Sequence, residues 1–506
     1  SLSGYGYSDF LLGLPFSSAR LDPLVDRTQR AYETGFFITD TFKVSRKLTL
    51  DFGLRWDYFR HTVYEDRLQY NWDPETGNVI VPSEARDKVS PLYSPNIKIV
   101  TGDVFPSPKK TNFRPRIGLA YRFQDDFVLR GGYGQYTEAL GNFHRGDGGG
   151  PFQIAETYFN SIQNGVPLLS FPNPFPETLA GAQVPNQSVA GYPMETENGV
   201  IHQYNLSLEK EMLGFGLRFS YIGSRSKGLN YNLQLNKPQP SLIPFTQARR
   251  PRPEFVGTTF ALSDGESKYD AGQIEVQRRS GPLVLSMHYT FSNGMNNFSN
   301  LENPYDHYAW NRDPYNSRHR AVINAQYTLP FGRGKRFLTS APGVVDAVLG
   351  GWQIGWISYF QGGQYFTPSF SGSDPSNTNT SGGIPDRIGD GNLPPDQRKP
   401  GRWFDANAFA PPPPGRFGNA GVAILEGPGL NLHHMSAIKE FRITERLKFV
   451  TQGMITNIFN HSHFDFPGAN ISVPNTVARV TQLREGAGGR EMSGPRNVQL
   501  RFRIEF

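Results

Sequence analysis

The chain has 506 residues, with 51 Lys and Arg against 45 Asp and Glu, a formal net charge of +6 and no cysteine. The absence of thiols excludes a disulfide frame and a thiolate metal site, and basic residues dispersed along the chain argue against a nucleic-acid groove. Only 37% of residues are hydrophobic although 13% are aromatic, and no stretch approaches the roughly 20 apolar residues of a membrane-spanning helix.

With 54 Gly and 40 Pro, the chain is punctuated for turns and long loops, as an all-β protein is. It opens on Ser1–Tyr7, where no basic segment followed by an apolar core is visible, as expected if a leader has been removed or the chain is a fragment. The first clear strand is expected at 31–42 and the next at 47–61, where Leu48, Leu50, Phe52, Leu54, Trp56 and Tyr58 alternate with Thr49, Asp51, Gly53, Arg55 and Asp57. One face is apolar and the other polar along the whole segment. The same period of two predicts strands at 113–124, 126–137, 200–211, 214–224, 268–279, 282–293, 319–330, 350–366, 429–442, 445–459 and 496–506, about thirteen in all. Each is near the roughly ten residues that a tilted strand needs to cross hydrocarbon.

The connections sort by parity. Short ones (44–46, 124–126, 212–214, 280–282, 443–445) alternate with long ones (62–112, 138–199, 225–267, 294–318, 367–428, 460–495), and 331–349 is of middling length where a short one is due. Short turns on one side and long loops on the other are the pattern of an antiparallel transmembrane outer-membrane β-barrel, with the long loops extracellular. That parity puts the carboxyl terminus in the periplasm and residues 1–30 outside, as a loop segment or, through Tyr5–Leu14, a partial fourteenth strand. Because bacterial single-chain barrels usually have an even strand number, the odd count predicts that upstream strands are missing.

The order of short motifs carries a resemblance. Phe36-Phe37-Ile38-Thr39-Asp40-Thr41-Phe42, Leu48-Thr49-Leu50-Asp51-Phe52-Gly53-Leu54-Arg55-Trp56-Asp57, Leu129-Arg130-Gly131-Gly132-Tyr133-Gly134, Tyr221-Ile222-Gly223-Ser224-Arg225, Leu329-Pro330-Phe331-Gly332-Arg333-Gly334, Gly350-Gly351-Trp352-Gln353, Gly427-Pro428-Gly429-Leu430 and Asn457-Ile458-Phe459-Asn460-His461 together resemble the Oar-like branch of the TonB-dependent receptors. The resemblance implies a 22-stranded-type barrel, a plug domain in its lumen, often an amino-terminal carboxypeptidase-regulatory-like domain, and energy supplied through TonB. Residues 31–506 then read as the carboxyl-terminal portion of the barrel, with the plug and the amino-terminal domain outside this chain. Phe502, Ile504 and Phe506 resemble the signal that barrel assembly machinery reads.

Candidate chemistry is sparse. His461, His463 and Asp465 have the alternate spacing of ligands on one strand face, beside the simpler reading of a strand-to-loop exit. Asp386–Asn392 lacks the acidic alternation and closing Glu of a calcium loop and reads as a solvated turn. Arg145-Gly146-Asp147 is a chance triplet in a glycine-rich loop. No Gly-x-Ser-x-Gly elbow and no phosphate-binding loop is present. No catalytic or cofactor-binding residue is therefore expected, and the chain does not read as an enzyme.

The loops are the better candidates. Tyr305, Tyr308, Trp310, Arg312 and Tyr315 fall in one long loop, and Trp403 and Phe404 precede Pro411–Pro414 in another. Such a mixture suits contact with an extracellular ligand, or else packs the loops on each other. The expected function is that of an outer-membrane receptor and transporter whose loops capture a ligand. Its expected partners are lipid, the assembly machinery and, through the plug, TonB. The rivals are an adhesive barrel without transport and, third, a membrane-embedded hydrolase.

Overall fold

The structure, a computed structural model, describes residues 3–22, 28–139, 150–163, 165–172, 174–175, 187–444, 446–484 and 494–506. The Arg145–Asp147 triplet lies outside the described residues. Thirteen long strands are present where alternation predicts them: β1 Glu33–Lys43, β2 Leu48–Phe59, β3 Asn112–Gln124, β4 Phe127–Thr137, β5 Val200–Met212, β6 Phe215–Leu233, β7 Gly257–Arg278, β8 Leu283–Asn296, β9 His319–Thr328, β10 Trp352–Gln361, β11 Leu430–Arg442, β12 Lys448–Thr456 and β13 Asn497–Glu505. Each pairs antiparallel with its neighbour in sequence, from β1 through to β13. Among the described residues β1 and β13 do not pair with each other, so the sheet is open.

Register explains why the alternation is so regular. Residues directly opposite each other in an antiparallel ladder share a face. One row across the sheet joins Phe42, Leu50, Leu119, Gly131, Leu206, Tyr221, Gly272 and Phe291. The adjacent row joins Asp51, Gly118, Gly132, Asn205, Ile222, Ala271 and Ser292. The first row belongs to an apolar belt that stays exposed, with Phe219, Phe291 and Leu500 among its members. A belt left uncovered on that scale needs lipid as its solvent.

The second face carries ion pairs. Arg130 Nε donates to Glu209 at 3.2 Å, and Arg218 bridges Glu209 at 3.0 Å and Glu275 at 3.1 Å, a ladder crossing β4 to β7 near the short turns. No helix among the described residues is long and apolar enough to cross a membrane. Val498, Leu500, Phe502 and Ile504 of β13 lie opposite Ile455, Gly453, Thr451 and Phe449, on the lipid-facing side.

Three segments differ from expectation. Tyr5–Leu14 contains a short helix, Gly6–Leu11, in place of a strand; its Phe10, Leu11 and Leu12 are consecutive apolar residues, without the strict alternation of a strand with two solvents. The middling connection 331–349 holds a second short helix, Gly343–Leu349. The third difference matters most for function: β6 and β7 run on beyond the predicted 214–224 and 268–279 and stay paired as far as Leu233 and Phe260. Alternation of apolar with polar side chains gives way there to the polar run Ser224-Arg225-Ser226-Lys227-Gly228, because beyond the hydrocarbon no face needs to be apolar.

Candidate functional site

The long connections fold into a cap over one end of the sheet, around the projecting β6–β7 ribbon. One apolar core gathers Trp72, Val79, Val81, Phe152, Phe255 and Phe260. Trp72 meets the Phe255 and Phe260 rings edge-on at 5.9 Å each. A second core gathers Phe404, Ala408, Phe409, Ala420, Leu425 and Ala478 from the loops before β11 and β13. The cap thus has interiors of its own, and the loops are folded units.

The loop 297–318 lies between them. Tyr305 donates its hydroxyl to the Lys237 carbonyl at 2.7 Å, Lys237 Nζ donates to the Glu302 carbonyl at 2.8 Å, and Glu302 Oε2 accepts from the Ile384 N–H at 2.9 Å. Tyr308 and Tyr231 donate to the two oxygens of Asp264, at 2.9 and 2.7 Å, and His307 Nε2 lies 3.0 Å from the Tyr231 hydroxyl. Burial, followed by the Asp264 carboxylate, holds the Tyr231 and Tyr308 hydroxyls above the usual phenol range. These tyrosines are neutral donors that tie loop to ribbon.

Burial raises the Glu302 carboxyl above its ordinary value, opposed by the Ile384 N–H and by Lys237. A carboxyl raised on folding binds its proton more tightly in the folded cap than in the unfolded chain, so its stabilising contribution grows as pH falls from above the folded value toward the ordinary one. Cleavage of the cap by protease, normalised to Glu302→Gln at each pH, is expected to slow as the pH falls toward the ordinary carboxyl value. An unchanged ratio would remove Glu302 as a tie.

Of the residues singled out in the sequence, most turn out to pack the cap. Phe404 is 2% exposed inside the second core, the packing alternative of its two readings: it is one of six aromatic and aliphatic residues gathered there from distant loop segments, and its ring meets Phe366 and Phe409. Trp403 donates Nε1 to the Glu426 carbonyl at 2.9 Å. Trp310 carries Lys268 Nζ over its ring at 4.3 Å, and Arg312 lies over Tyr365 at 4.0 Å. Tyr315 is different. Its ring is 85% exposed, while its N–H and carbonyl are pinned by Asp313 and Gln364.

The histidine run does not converge. His461 Nδ1 and His463 Nε2 lie 3.3 and 3.0 Å from the same Asn431 carbonyl oxygen, and Asp465 accepts from the Phe466 N–H at 2.8 Å. Among the described residues no group of three or more His, Cys, Asp or Glu is placed to hold a metal ion. Asp386, expected in a solvated turn, is instead buried in a short strand paired with Phe409–Ala410, where Arg416 donates to it at 2.7 Å; Arg387 donates to the exposed Asp390 at 2.5 Å.

Under the cap, at the loop ends of β7 to β10, the polar face of the sheet opens into a cavity of about 400 Å³. Tyr269, Thr290, Arg320 and Tyr359 reach it from four adjacent strands, and Tyr315 and Arg484 from two loops. Gln361 Nε2 donates to Ser317 Oγ at 2.8 Å, Ser292 Oγ to Asn316 Oδ1 at 3.0 Å, and Arg484 Nη2 to Gln364 Oε1 at 3.4 Å. Of these only Tyr315 stood out in the sequence. The inward parity of Arg320 on β9 was the signal available for the others.

A family model for the outer membrane beta barrel domain matches residues 1–499. The chain belongs to that family. This outer-membrane barrel is also similar, at low identity, to solved import receptors. It matches the closed form of the ferric-catecholate import receptor Fiu from K12 E. coli at 12% identity and a TM-score of 0.43, over 94% of this chain and 45% of that one. The ferripyoverdine receptor of the outer membrane of Pseudomonas aeruginosa matches at 10% identity and a TM-score of 0.44, over 94% and 39%. The siderophore receptor PiuA from Acinetobacter baumannii matches at 11% and 0.44, over 94% and 43%. The barrel spans less than half the length of these chains. No curated protein matches it.

Proposed function

We propose that the chain is the barrel portion of a TonB-dependent outer-membrane receptor of the Oar-like kind, which captures an extracellular ligand at its cap and passes it through the lumen when TonB acts on a plug supplied by the longer protein. The observation that carries this reading is the polar cavity under a folded cap, at the mouth of a sheet whose inner face is charged and whose outer face is apolar. No covalent step is required of any residue. Phe502, Ile504 and Phe506, on and beside the exposed edge strand β13, are the surface that assembly machinery would engage.

Two experiments test the proposal. In the complete reading frame an upstream plug and TonB-contacting segment must be present, and ligand accumulation in cells must stop when the proton-motive force is collapsed; accumulation that continues unchanged would favour a passive or adhesive barrel. Orientation is tested separately. Because the chain has no cysteine, a thiol introduced at Tyr315 or at Leu213, exposed by 85% and 87%, is unique within it. An impermeant maleimide is expected to label Tyr315→Cys in intact cells and Leu213→Cys only after the outer membrane is opened. The reverse pattern would invert the topology.

A further inference from the structure

The lining of the lumen-mouth cavity specifies a ligand class. Each of its twelve described lining residues carries a hydroxyl, an amide or a guanidinium, and none of these described residues is aliphatic or acidic. Most small-molecule pockets draw affinity from an apolar wall; among the described residues this one offers only tyrosine rings, so its ligand is held mainly by hydrogen bonds and charge. Two of the twelve are arginines. Arg320 stacks over the Tyr359 ring, 5.1 Å from its centroid, and has no carboxylate in ion-pair distance among the described residues.

Arg484 enters from the loop before β13, donating to Gln364. Contact with the ring face holds the Arg320 guanidinium at the cavity and leaves its fork of donors available to a planar anion. The amides of Gln273, Asn316, Gln361 and Gln364 each offer a donor and an acceptor, the pattern that pairs with vicinal hydroxyls. The exposed Tyr315 ring at the rim, held by its backbone, offers an apolar face on which the C–H side of a sugar ring can lie.

From this set we infer that the cavity binds an acidic oligosaccharide, a chain of carboxylated sugars whose carboxylate is clamped by Arg320. The inference rests on the receptor reading above and names the ligand class of that same mouth. A ferric catecholate is an anion with aromatic faces that the same arginines and tyrosine rings would also attract, and it serves as the competing outcome.

The test uses the complete receptor, purified in detergent and titrated with tetragalacturonate, with a neutral galactose tetramer and with a ferric catecholate. Tetragalacturonate is expected to bind at least about tenfold more tightly than the neutral tetramer, as loss of a charge-assisted pair implies. Arg320→Gln is expected to weaken it by a similar factor, and Arg320→Lys by less, since charge remains and the fork is lost. Affinity should fall as pH drops toward about 3.5, where the sugar carboxyls protonate. Unchanged mobility on heating in detergent shows that the variants are folded.

Equal binding of both tetramers, indifference to Arg320→Gln, or binding of the ferric catecholate alone would overturn the inference. Because binding is measured without TonB, such a failure leaves the receptor reading to its own test of energy-dependent accumulation.

Discussion

Replacing Gly363 by alanine is expected to unseat half of the cap while the membrane strands remain folded. A Cβ on Gly363 would collide with the Gly427 carbonyl oxygen and stand 3.0 Å from Glu426 Cγ. The opposite segment has no room to retreat. A Cβ on Gly427 would come within 2.6 Å of the Phe466 ring, and one on Gly429 within 2.5 Å of the Gln361 carbonyl. The chain leaving β10 and the chain entering β11 therefore cross backbone against backbone, closed by the Gly427 N–H donating to the Gln364 carbonyl at 2.7 Å.

Leu425, fully buried in the second core, sits two residues before Gly427. Forcing the crossing apart lifts it out of that core. Overpacking that no side-chain rotation can relieve costs roughly 3 kcal/mol. Gly401→Ala, in the same cap with nothing within 4 Å of its Cβ, is expected to change stability by less than about 0.5 kcal/mol. Limited proteolysis of the two variants separates the cases: rapid cleavage of the cap in Gly363→Ala alone is expected, and equal resistance would refute the tight crossing.

That crossing also shows what the sequence reveals and what it hides. Gly427-Pro428-Gly429 is legible as a motif, but its reason, a backbone passing at contact distance from Gly363, lies more than sixty positions away. All thirteen long strands are legible because lipid on one side and water on the other impose a period of two that local sequence must obey. Above the membrane that rule lapses. Leu229, Tyr231 and Leu233 still alternate with Asn230 and Asn232 on β6, a signal for the projecting ribbon, yet it is brief and interrupted by Gly228.

The cap cores were out of reach for another reason. Trp72 packs on Phe255 and Phe260, and Phe404 on Leu425 and Ala478, contacts between segments that only the folded sheet brings together. Phe404 looked like a ligand contact because exposed and buried aromatics are spelled alike. The cavity was hidden similarly, since Arg320 and Tyr359 each look like an ordinary inward-facing strand residue until Tyr315 and Arg484 close over them.

Arginine placed at two consecutive positions of β5 should give opposite results. Leu206 is the seventh of the thirteen residues of Val200–Met212, half exposed in the apolar row between Gly131 and Tyr221. Asn205 is its exposed neighbour on the inner row, opposite Gly132 and Ile222. At mid-strand a guanidinium on the outer face must enter hydrocarbon, which costs about 2–4 kcal/mol in a barrel of this kind. On the inner face the same group stays in water, within the charged environment that already holds Arg130 and Arg218. Leu206→Arg is therefore expected to lower the unfolding free energy, measured by urea titration of the receptor folded in lipid vesicles, by that amount, and Asn205→Arg by less than about 1 kcal/mol. Equal losses would mean that the row through Leu206 does not face lipid. Equal tolerance would mean that neither row does, and the alternation on which the barrel rests would need another cause.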